Sequence, residues 1–155
     1  MKIVQKAPSK IELNEKNSRS HSDAQVEQIA DSIDRLGFNV PILITSDNVL
    51  IAGEGRLLAS IFLELEKIPC IVLEHLSEDE MREFMIIDNK LAENSVWNTK
   101  MLGSELTYLS TLGLELKAFD DSELKKYVIG SEDFEEYQDL NVVTSTTCPK
   151  CSYEW

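Results

Sequence analysis

Two glycines that flank a glutamate and precede an arginine, Gly53-Glu54-Gly55-Arg56, are the residues of this sequence best suited to bind an anion. Glycine permits tight turns and close approach of the backbone to a ligand. A strand pattern precedes these residues and a helical pattern follows them, so main-chain N–H groups at the helix start would face a phosphate. Arg56 would add bidentate hydrogen bonds. Taken alone, a tight strand-to-helix turn with a surface arginine is the simpler explanation.

A second polar group, Asp88-Asn89-Lys90, follows two isoleucines. Asp88 and Asn89 offer oxygen ligands of the kind that Mg²⁺ binds, and Lys90 could balance phosphate charge. Without other evidence, the polar end of an amphipathic helix explains these residues better.

Arg19 and His21 lie just before a predicted helix start at Ser22, which makes them a further candidate anion site. Capping by Ser22 and a solvated arginine explain the same residues without a ligand. Neither His21 nor His75 has the partners of a catalytic dyad or a metal cluster.

Cys148 and Cys151 have the spacing of half a four-thiolate zinc site. Cys70 lies in an apolar strand pattern and is expected in the core, so one chain cannot complete four thiolates. Two chains of a homodimer could pool them to bind Zn²⁺. An unpaired or vestigial cysteine pair explains the tail as well.

The chain has 155 residues and carries 15 Lys and Arg against 28 Asp and Glu, a formal net charge of −13. Such a charge argues against a protein that binds DNA tightly without a partner, although residues 1–19 hold five bases and only two acids.

An apolar fraction of 43% is enough for a packed core. We expect no signal peptide and no membrane helix, and three cysteines suit a reducing cytoplasm.

The elements that must position these groups follow from apolar periodicity, capping residues and turn residues. Ser22 with Gln25 and Ser77 with Glu80 have the spacing of capping boxes, and Asp47-Asn48 is predicted to turn the chain. Strands come early and helices late, which predicts an α+β domain with a small mixed sheet and packed helices. The short helix over Leu57–Leu65 is apolar nearly all round, so we expect it to be buried. Strands are predicted up to Leu13 with a break at Pro8, then at Pro41–Thr45, Val49–Ala52 and Pro69–Leu73. Helices are predicted from Ser22 to Gly37, over Leu57–Leu65, from Ser77 to about Leu91, and over Thr99–Leu112 and Asp121–Val128.

Residues 17–98 resemble the N-terminal domain of the ParB/sulfiredoxin superfamily. The resemblance is closest to the branch found in phages and mobile elements, often beside or fused to DNA methyltransferases. That branch tends to read Ile-Ala-Gly-His-Gly-Arg and Asp-Asn-Lys-Leu, often followed by a tryptophan that here would be Trp97. The matching stretches, in order, are Asn17-Ser18-Arg19, Gln28–Ile33, Gly37-Phe38, Pro41-Ile42, Ile51–Arg56 with Ala59, Ile68-Pro69 and Asp88–Leu91.

The resemblance implies a compact ParB/sulfiredoxin-like α+β fold with a nucleotide site. In the chromosome-partitioning members, a Gly-Glu-Arg-Arg motif and a later Glu-Asn motif hold the phosphates of CTP and Mg²⁺. Gly53–Arg56 occupy the first motif, Asp88 and Asn89 the second, and Arg19 lies in the first conserved box. Arg19 and Lys90 would serve as additional cations, and Asp88 and Asn89 as magnesium ligands.

The sequence departs from the family pattern in ways that bear on function. Gly55 stands where partitioning members have the first of two arginines, which removes a phosphate-facing cation. Glu54 stands where sulfiredoxins have a cysteine, so reductase chemistry is not supported. The helix-turn-helix domain with which partitioning members read DNA has no evident counterpart after residue 98.

We therefore expect a module that binds CTP or ATP with Mg²⁺ and acts in DNA processing or as an accessory of DNA modification. It would contact DNA weakly or through a partner, with a DNA methyltransferase as one such partner. Glu54 is the candidate catalytic residue of an NTPase or nuclease-like activity. The alternative is a nuclease-like or methyltransferase-associated adaptor with a vestigial pocket.

The expected division of the chain is a domain over 1–98, a helical extension over 99–129, and a flexible acidic linker with the cysteine tail over 130–155.

Deleting residues 131–155 should leave the thermal stability of the remaining chain nearly unchanged. The segment carries six acids and one base, and it has few runs that could join a core. Thermal melts of the full and shortened chains, each with and without a chelator, test this. A loss of several kcal/mol, or a chelator-dependent melt of the full chain only, would instead indicate a structural zinc site at Cys148 and Cys151.

Overall fold

A computed structural model of the protein describes residues 3–127, and it has the predicted α+β architecture. The linker over 131–147 and the pair Cys148 and Cys151 lie outside the described residues. Four strands form one sheet: β1 Ile3–Lys6, β2 Ile42–Ile44, β3 Leu50–Ala52 and β4 Ile68–Val72. Five α-helices accompany it: α1 Asp23–Leu36, α2 Glu54–Phe62, α3 Glu78–Asn94, α4 Thr99–Thr111 and α5 Asp121–Tyr127.

The sheet is small and mixed, as predicted, with the strand order β1-β4-β2-β3. The strand β4 pairs antiparallel with β1 and parallel with β2, which in turn pairs antiparallel with β3. The β2–β3 turn contains the predicted Asp47-Asn48, and Asn48 has a φ of 65°. The parallel β2–β4 pair needs a crossover connection, and α2 lies in that connection.

Both faces of the sheet carry core residues. On one face Ile42, Ile44, Ile68 and Cys70 pack with Leu57 of α2, and all five are fully buried. The prediction that Cys70 is a core residue is confirmed, and burial raises the pKa of its thiol. On the opposite face, a second cluster joins Ile51, Leu73 and Met85, so α3 covers the side of the sheet that α2 does not.

The backbone divides into two compact units. Within the described residues, the larger unit comprises 3–98 together with 115–120 and contains the sheet and α1–α3. The smaller unit comprises 99–114 and 121–127, which form α4 and α5. The division into 1–98, 99–129 and 130–155 stays a prediction. No helix among residues 3–127 is both long and apolar enough to cross a membrane.

Capping residues set the starts of α1 and α3. Ser77 and Glu80 form the full predicted capping box at α3. At α1 only half of the predicted box forms, because the Ser22 hydroxyl accepts from the Gln25 N–H at 3.2 Å while the Gln25 side chain contacts His21 instead.

Helix α2 begins at Glu54, three residues before the predicted start at Leu57. Gly53 precedes it in a left-handed conformation, with φ 100° and ψ 33°, and its carbonyl accepts the first helical bond from the Leu57 N–H at 3.0 Å. Gly55 and Arg56 therefore lie within the first turn of the helix and not in a loop before it. Apolar periodicity did not reveal this start because the first turn is built from glycine and charged residues.

The other end of α2 also differs from the prediction. The helix stops at Phe62, before the predicted end at Leu65, because Glu64 turns the chain with a φ of 52°. Ile61 and Phe62 are exposed, with 51% and 62% of their surfaces accessible. The expectation that this helix is buried all round is therefore wrong at its last turn.

Replacing Gly53 by alanine should destabilise the fold more than replacing Gly113. A Cβ at Gly53 would lie 2.7 Å from Cγ2 of the fully buried Ile42, whereas one at Gly113 would meet no atom within 4 Å. Both residues have positive φ, so each variant carries the left-handed backbone cost of about 1–2 kcal/mol, and only Gly53→Ala adds overpacking of about 1–3 kcal/mol. Chemical denaturation of both variants measures the difference, and equal losses would contradict the contact with Ile42.

Candidate functional site

A cleft of about 220 Å³ opens where the β3–α2 junction, the loop over residues 14–22 and α3 meet. Sixteen residues line it, and seven of the eight residues predicted to bind phosphate or magnesium are among them. These seven are Arg19, Gly53, Glu54, Gly55, Arg56, Asp88 and Asn89. Residues up to 70 positions apart in the sequence are thus gathered in one place by the fold.

The start of α2 lines the cleft with its first turn. The first main-chain bond of the helix joins Leu57 to Gly53, so the N–H groups of Glu54, Gly55 and Arg56 have no helical carbonyl to bond. Gly53 has no side chain with which to cap them. The arrangement leaves main-chain donors and the positive end of the helix dipole available to an anion.

Gly55 lies within the helix and its φ is not positive, so the backbone conformation does not call for glycine here. Close packing around this position does. A Cβ at Gly55 would lie 2.7 Å from Cδ1 of Ile29 and 3.2 Å from Nδ1 of His21. The absent side chain allows α1 to approach the first turn of α2, which brings His21 and Gln25 to the cleft wall.

Arg56 is the more enclosed of the two arginines in the cleft. Its Nη1 donates to the carbonyl oxygen of Val40 at 2.9 Å, which fixes the guanidinium and leaves further N–H donors for a ligand. Burial lowers the pKa of Arg56, and the nearby charge of Asp88 partly opposes that shift. Arginine nevertheless remains charged in proteins, so Arg56 is a permanent, positioned cation.

The loop over residues 14–22 is attached to both α2 and α3. The Asn17 side chain donates to the Glu54 carboxylate and also accepts from the Arg19 N–H at 3.2 Å. Nη1 of Arg19 lies 3.4 Å from Oδ1 of Asn89. Asn17 thus links the loop to the α2 start and orients the segment that carries Arg19.

On α3, the two predicted metal ligands differ in how far they are already engaged. Nδ2 of Asn89 donates to the Met85 carbonyl at 2.8 Å, which turns its oxygen towards Arg19. Asp88 is exposed and lines the cleft, and its charge acts on Arg56. Asp88 is therefore the better placed of the two to bind a cation.

Lys90 does not line the cleft. It pairs with Glu93, with 3.1 Å between Nζ and Oε2, on the exposed side of α3. Successive helix positions are separated by about 100°, so Lys90 lies about 200° around the helix from Asp88 and faces away from the cleft that Asp88 lines. Among residues 3–127, no three His, Cys, Asp or Glu side chains cluster as a metal site would require.

Asn14, Asn17 and Gln25 are polar cleft residues that were not among the predicted ligands, and His21, which the sequence offered with Arg19 as a candidate anion site, also lines the cleft. Nδ1 of His21 lies 2.9 Å from Oε1 of Gln25, one helical turn along the chain. The sequence indicates Gln25 only as a capping residue. Neither sequence position indicates that α1 reaches the α2 start, because that approach depends on Gly55.

A larger, mainly apolar groove of about 650 Å³ adjoins the cleft. It runs along α1 and the segment 37–40, and it shares Gln25, Ile29 and Arg56 with the cleft. Arg56 therefore lies at the boundary between a polar cleft and an apolar groove.

Comparison with known proteins agrees with the resemblance seen in the motifs. The family profile described as the ParB N-terminal domain matches residues 2–90, which is more than half of the chain. This chain belongs to the ParB N-terminal domain family. The match ends at the C-terminal part of α3 and includes all eight residues predicted to bind phosphate or magnesium.

Two curated relatives share this ParB N-terminal region. The ParB-like nuclease domain-containing protein YnaK of Escherichia coli K12 is 35% identical over 80 residues, which cover 52% of this chain and 92% of the relative. The probable chromosome-partitioning protein ParB of Helicobacter pylori is 38% identical over 71 residues, 44% of this chain but only 24% of the relative.

A solved structure with the same fold is the C-terminally truncated chromosome-partitioning protein ParB from Caulobacter crescentus, complexed with CTP-gamma-S. It superimposes with a TM-score of 0.62 at 21% identity, covering 73% of this chain and 65% of that one. At this identity the likeness establishes the ParB fold alone. The present chain spans less than two thirds of both partitioning proteins.

Proposed function

We propose that this ParB-like domain binds a nucleoside triphosphate, CTP or ATP, together with Mg²⁺. The observation that carries the proposal is the convergence of Arg19, Arg56 and the uncapped start of α2 on one cleft. The Caulobacter ParB that was solved with CTP-gamma-S supports a nucleotide as the ligand class.

The phosphate chain would lie against the first turn of α2. Main-chain N–H groups there would bind one phosphate, and Arg56, held by Val40, would bind a second from the side. Arg19 lies exposed above them, and its contact with Asn89 is long enough at 3.4 Å for a phosphate to replace it.

A magnesium ion fits this cleft through Asp88. Two carboxylates, Glu54 and Asp88, face two arginines, so the charged side chains cancel and cannot by themselves neutralise a polyphosphate. A divalent cation bound by Asp88 and by phosphate oxygens would supply the missing charge. Asn89 would join it only after releasing Arg19.

The nucleoside would extend past Arg56 into the apolar groove. A cleft of about 220 Å³ is small for a whole nucleotide, whereas the adjoining groove of about 650 Å³ is in the usual range for ligand pockets. Glu54 is the candidate for orienting the metal or a water molecule. Its bond from Asn17 engages one carboxylate oxygen and leaves the other for that role.

The biological setting that we propose is DNA processing or DNA modification, with the domain acting as a module beside a DNA-binding partner such as a methyltransferase. A net charge of −13 disfavours strong contacts of this chain with phosphate backbones. The matched segment covers 24% of the Helicobacter partitioning protein, so the activity of that whole protein is not transferred.

Replacing Arg56 by alanine should weaken nucleotide binding about tenfold or more, because a charge-assisted hydrogen bond of about 1.5–3 kcal/mol is lost. Calorimetric titration with CTP, ATP and GTP in the presence of Mg²⁺ measures this. Arg82→Ala is the matched control, since Arg82 pairs with Glu78 at 2.8 Å on the exposed side of α3.

The control variant should bind as the wild type does. Two results would overturn the proposal: no nucleotide binding by the wild type at millimolar concentration, which the vestigial-pocket alternative predicts, or equal binding by wild type and Arg56→Ala.

Replacing Asp88 by alanine should mainly reduce the effect of Mg²⁺. Without the metal, the variant should bind nucleotide at least as well as the wild type, because a negative charge has been removed from the cleft. With the metal, it should lack most of the wild-type gain in affinity. Titrations in EDTA and in Mg²⁺ test this, with the exposed Asp79→Ala as the charge-matched control; an undiminished magnesium effect in Asp88→Ala would exclude Asp88 as a ligand.

A further inference from the structure

Residues 115–120, which we call the strap, connect α4 to α5 and belong to the same compact unit as the sheet. Two side chains of α1 donate to strap carbonyls: Nε2 of Gln28 to Lys117 at 3.0 Å, and Nη1 of Arg35 to Glu115 at 2.8 Å. The Lys117 ammonium also pairs with the carboxylate of Asp31. Three contacts spaced along one helix thus hold the strap against α1.

The ion pair shifts the pKa values of both its partners, and a ring contact lies at the far end of the strap. The hydrogen bond from Lys117 lowers the pKa of Asp31, and the same bond raises the pKa of Lys117. At the far end, the Phe119 ring lies 6.3 Å from the ring of Trp97, at an interplanar angle of 51°.

The strap forms part of the wall of the apolar groove. Ala118 lines that groove together with Ile29, Ile33 and Val40, and it is not among the residues that line the cleft. A molecule with its phosphates at the α2 start would therefore reach Ala118 only with a part that extends from the cleft into the groove.

We infer that the strap is a specificity element that contacts the nucleoside, while the phosphates bind only to the cleft. The inference rests on the proposed nucleotide function. The family profile matches residues 2–90, so the strap lies outside the segment that the profile matches.

The inference is tested by comparing CTP and ATP with inorganic tripolyphosphate, which has the phosphates but no nucleoside. Ala118→Trp would fill the groove, and it should weaken binding of the nucleotides that the wild type binds about tenfold or more, as the loss of a buried apolar contact does. Tripolyphosphate binding should stay unchanged. Ala92→Trp, at an exposed position of α3 that lines neither space, is the matched control.

A second variant releases the strap without filling the groove. Asp31→Lys places a cation opposite Lys117 and beside Arg35, so the strap should detach from α1. Added positive charge alone would favour every anion, including tripolyphosphate. The inference predicts the opposite for nucleotides, namely several-fold weaker binding, with recovery in the charge-swapped double variant Asp31→Lys, Lys117→Asp.

The outcomes separate this inference from the proposed function. If the wild type binds neither nucleotide nor tripolyphosphate, the proposed function fails, and the inference fails with it. If the wild type binds nucleotide but Ala118→Trp and Asp31→Lys bind it as well as the wild type does, only the role of the strap is wrong. Equal losses for nucleotide and tripolyphosphate would also overturn it, because they would show a general disturbance of the fold.

Discussion

The joint between β3 and α2 is the constraint on which the rest of the site depends. Gly53 has a φ of 100° and no room for a side chain against Ile42, so the backbone must turn there and enter the helix at Glu54. The same turn leaves the first amides of α2 uncapped and directs Arg56 towards Val40. The conformation of Gly53 thus fixes the direction of α2, the N–H groups that remain free at its start and the position of Arg56.

Charge balance explains why a metal–phosphate complex suits this cleft better than a simple anion. The chain is strongly acidic, and two carboxylates and two arginines line the cleft. A bare polyphosphate would be repelled by Glu54 and Asp88, and a bare cation by Arg19 and Arg56. A ligand that carries both signs can place its phosphates at the arginines and its metal at Asp88.

Sequence patterns predicted the elements well wherever a local signal exists. The capping box at Ser77, the stop at Gly37 and the fully buried strand residue Cys70 all follow from neighbours in the chain, and the structure confirms them. Helix α2 starts three residues before its predicted start at Leu57, because a glycine-rich charged turn has no apolar periodicity. The pairing of Asn17 with Glu54 was not foreseen, since contacts across 37 positions depend on tertiary packing.

The proposed site has separate residues for binding phosphate and for selecting the base, and these residues come from different segments of the sequence. The residues that we propose to bind phosphate all come from the segment that matches the ParB N-terminal domain, and main-chain amides and guanidinium groups bind any polyphosphate alike. Such groups provide affinity but cannot distinguish one base from another. In the proposed site, discrimination between bases would come from the walls of the adjoining groove, which α1, the segment 37–40 and the strap form. A change in the strap would alter that wall without disturbing the amides at α2, so base selectivity would vary while phosphate binding is retained.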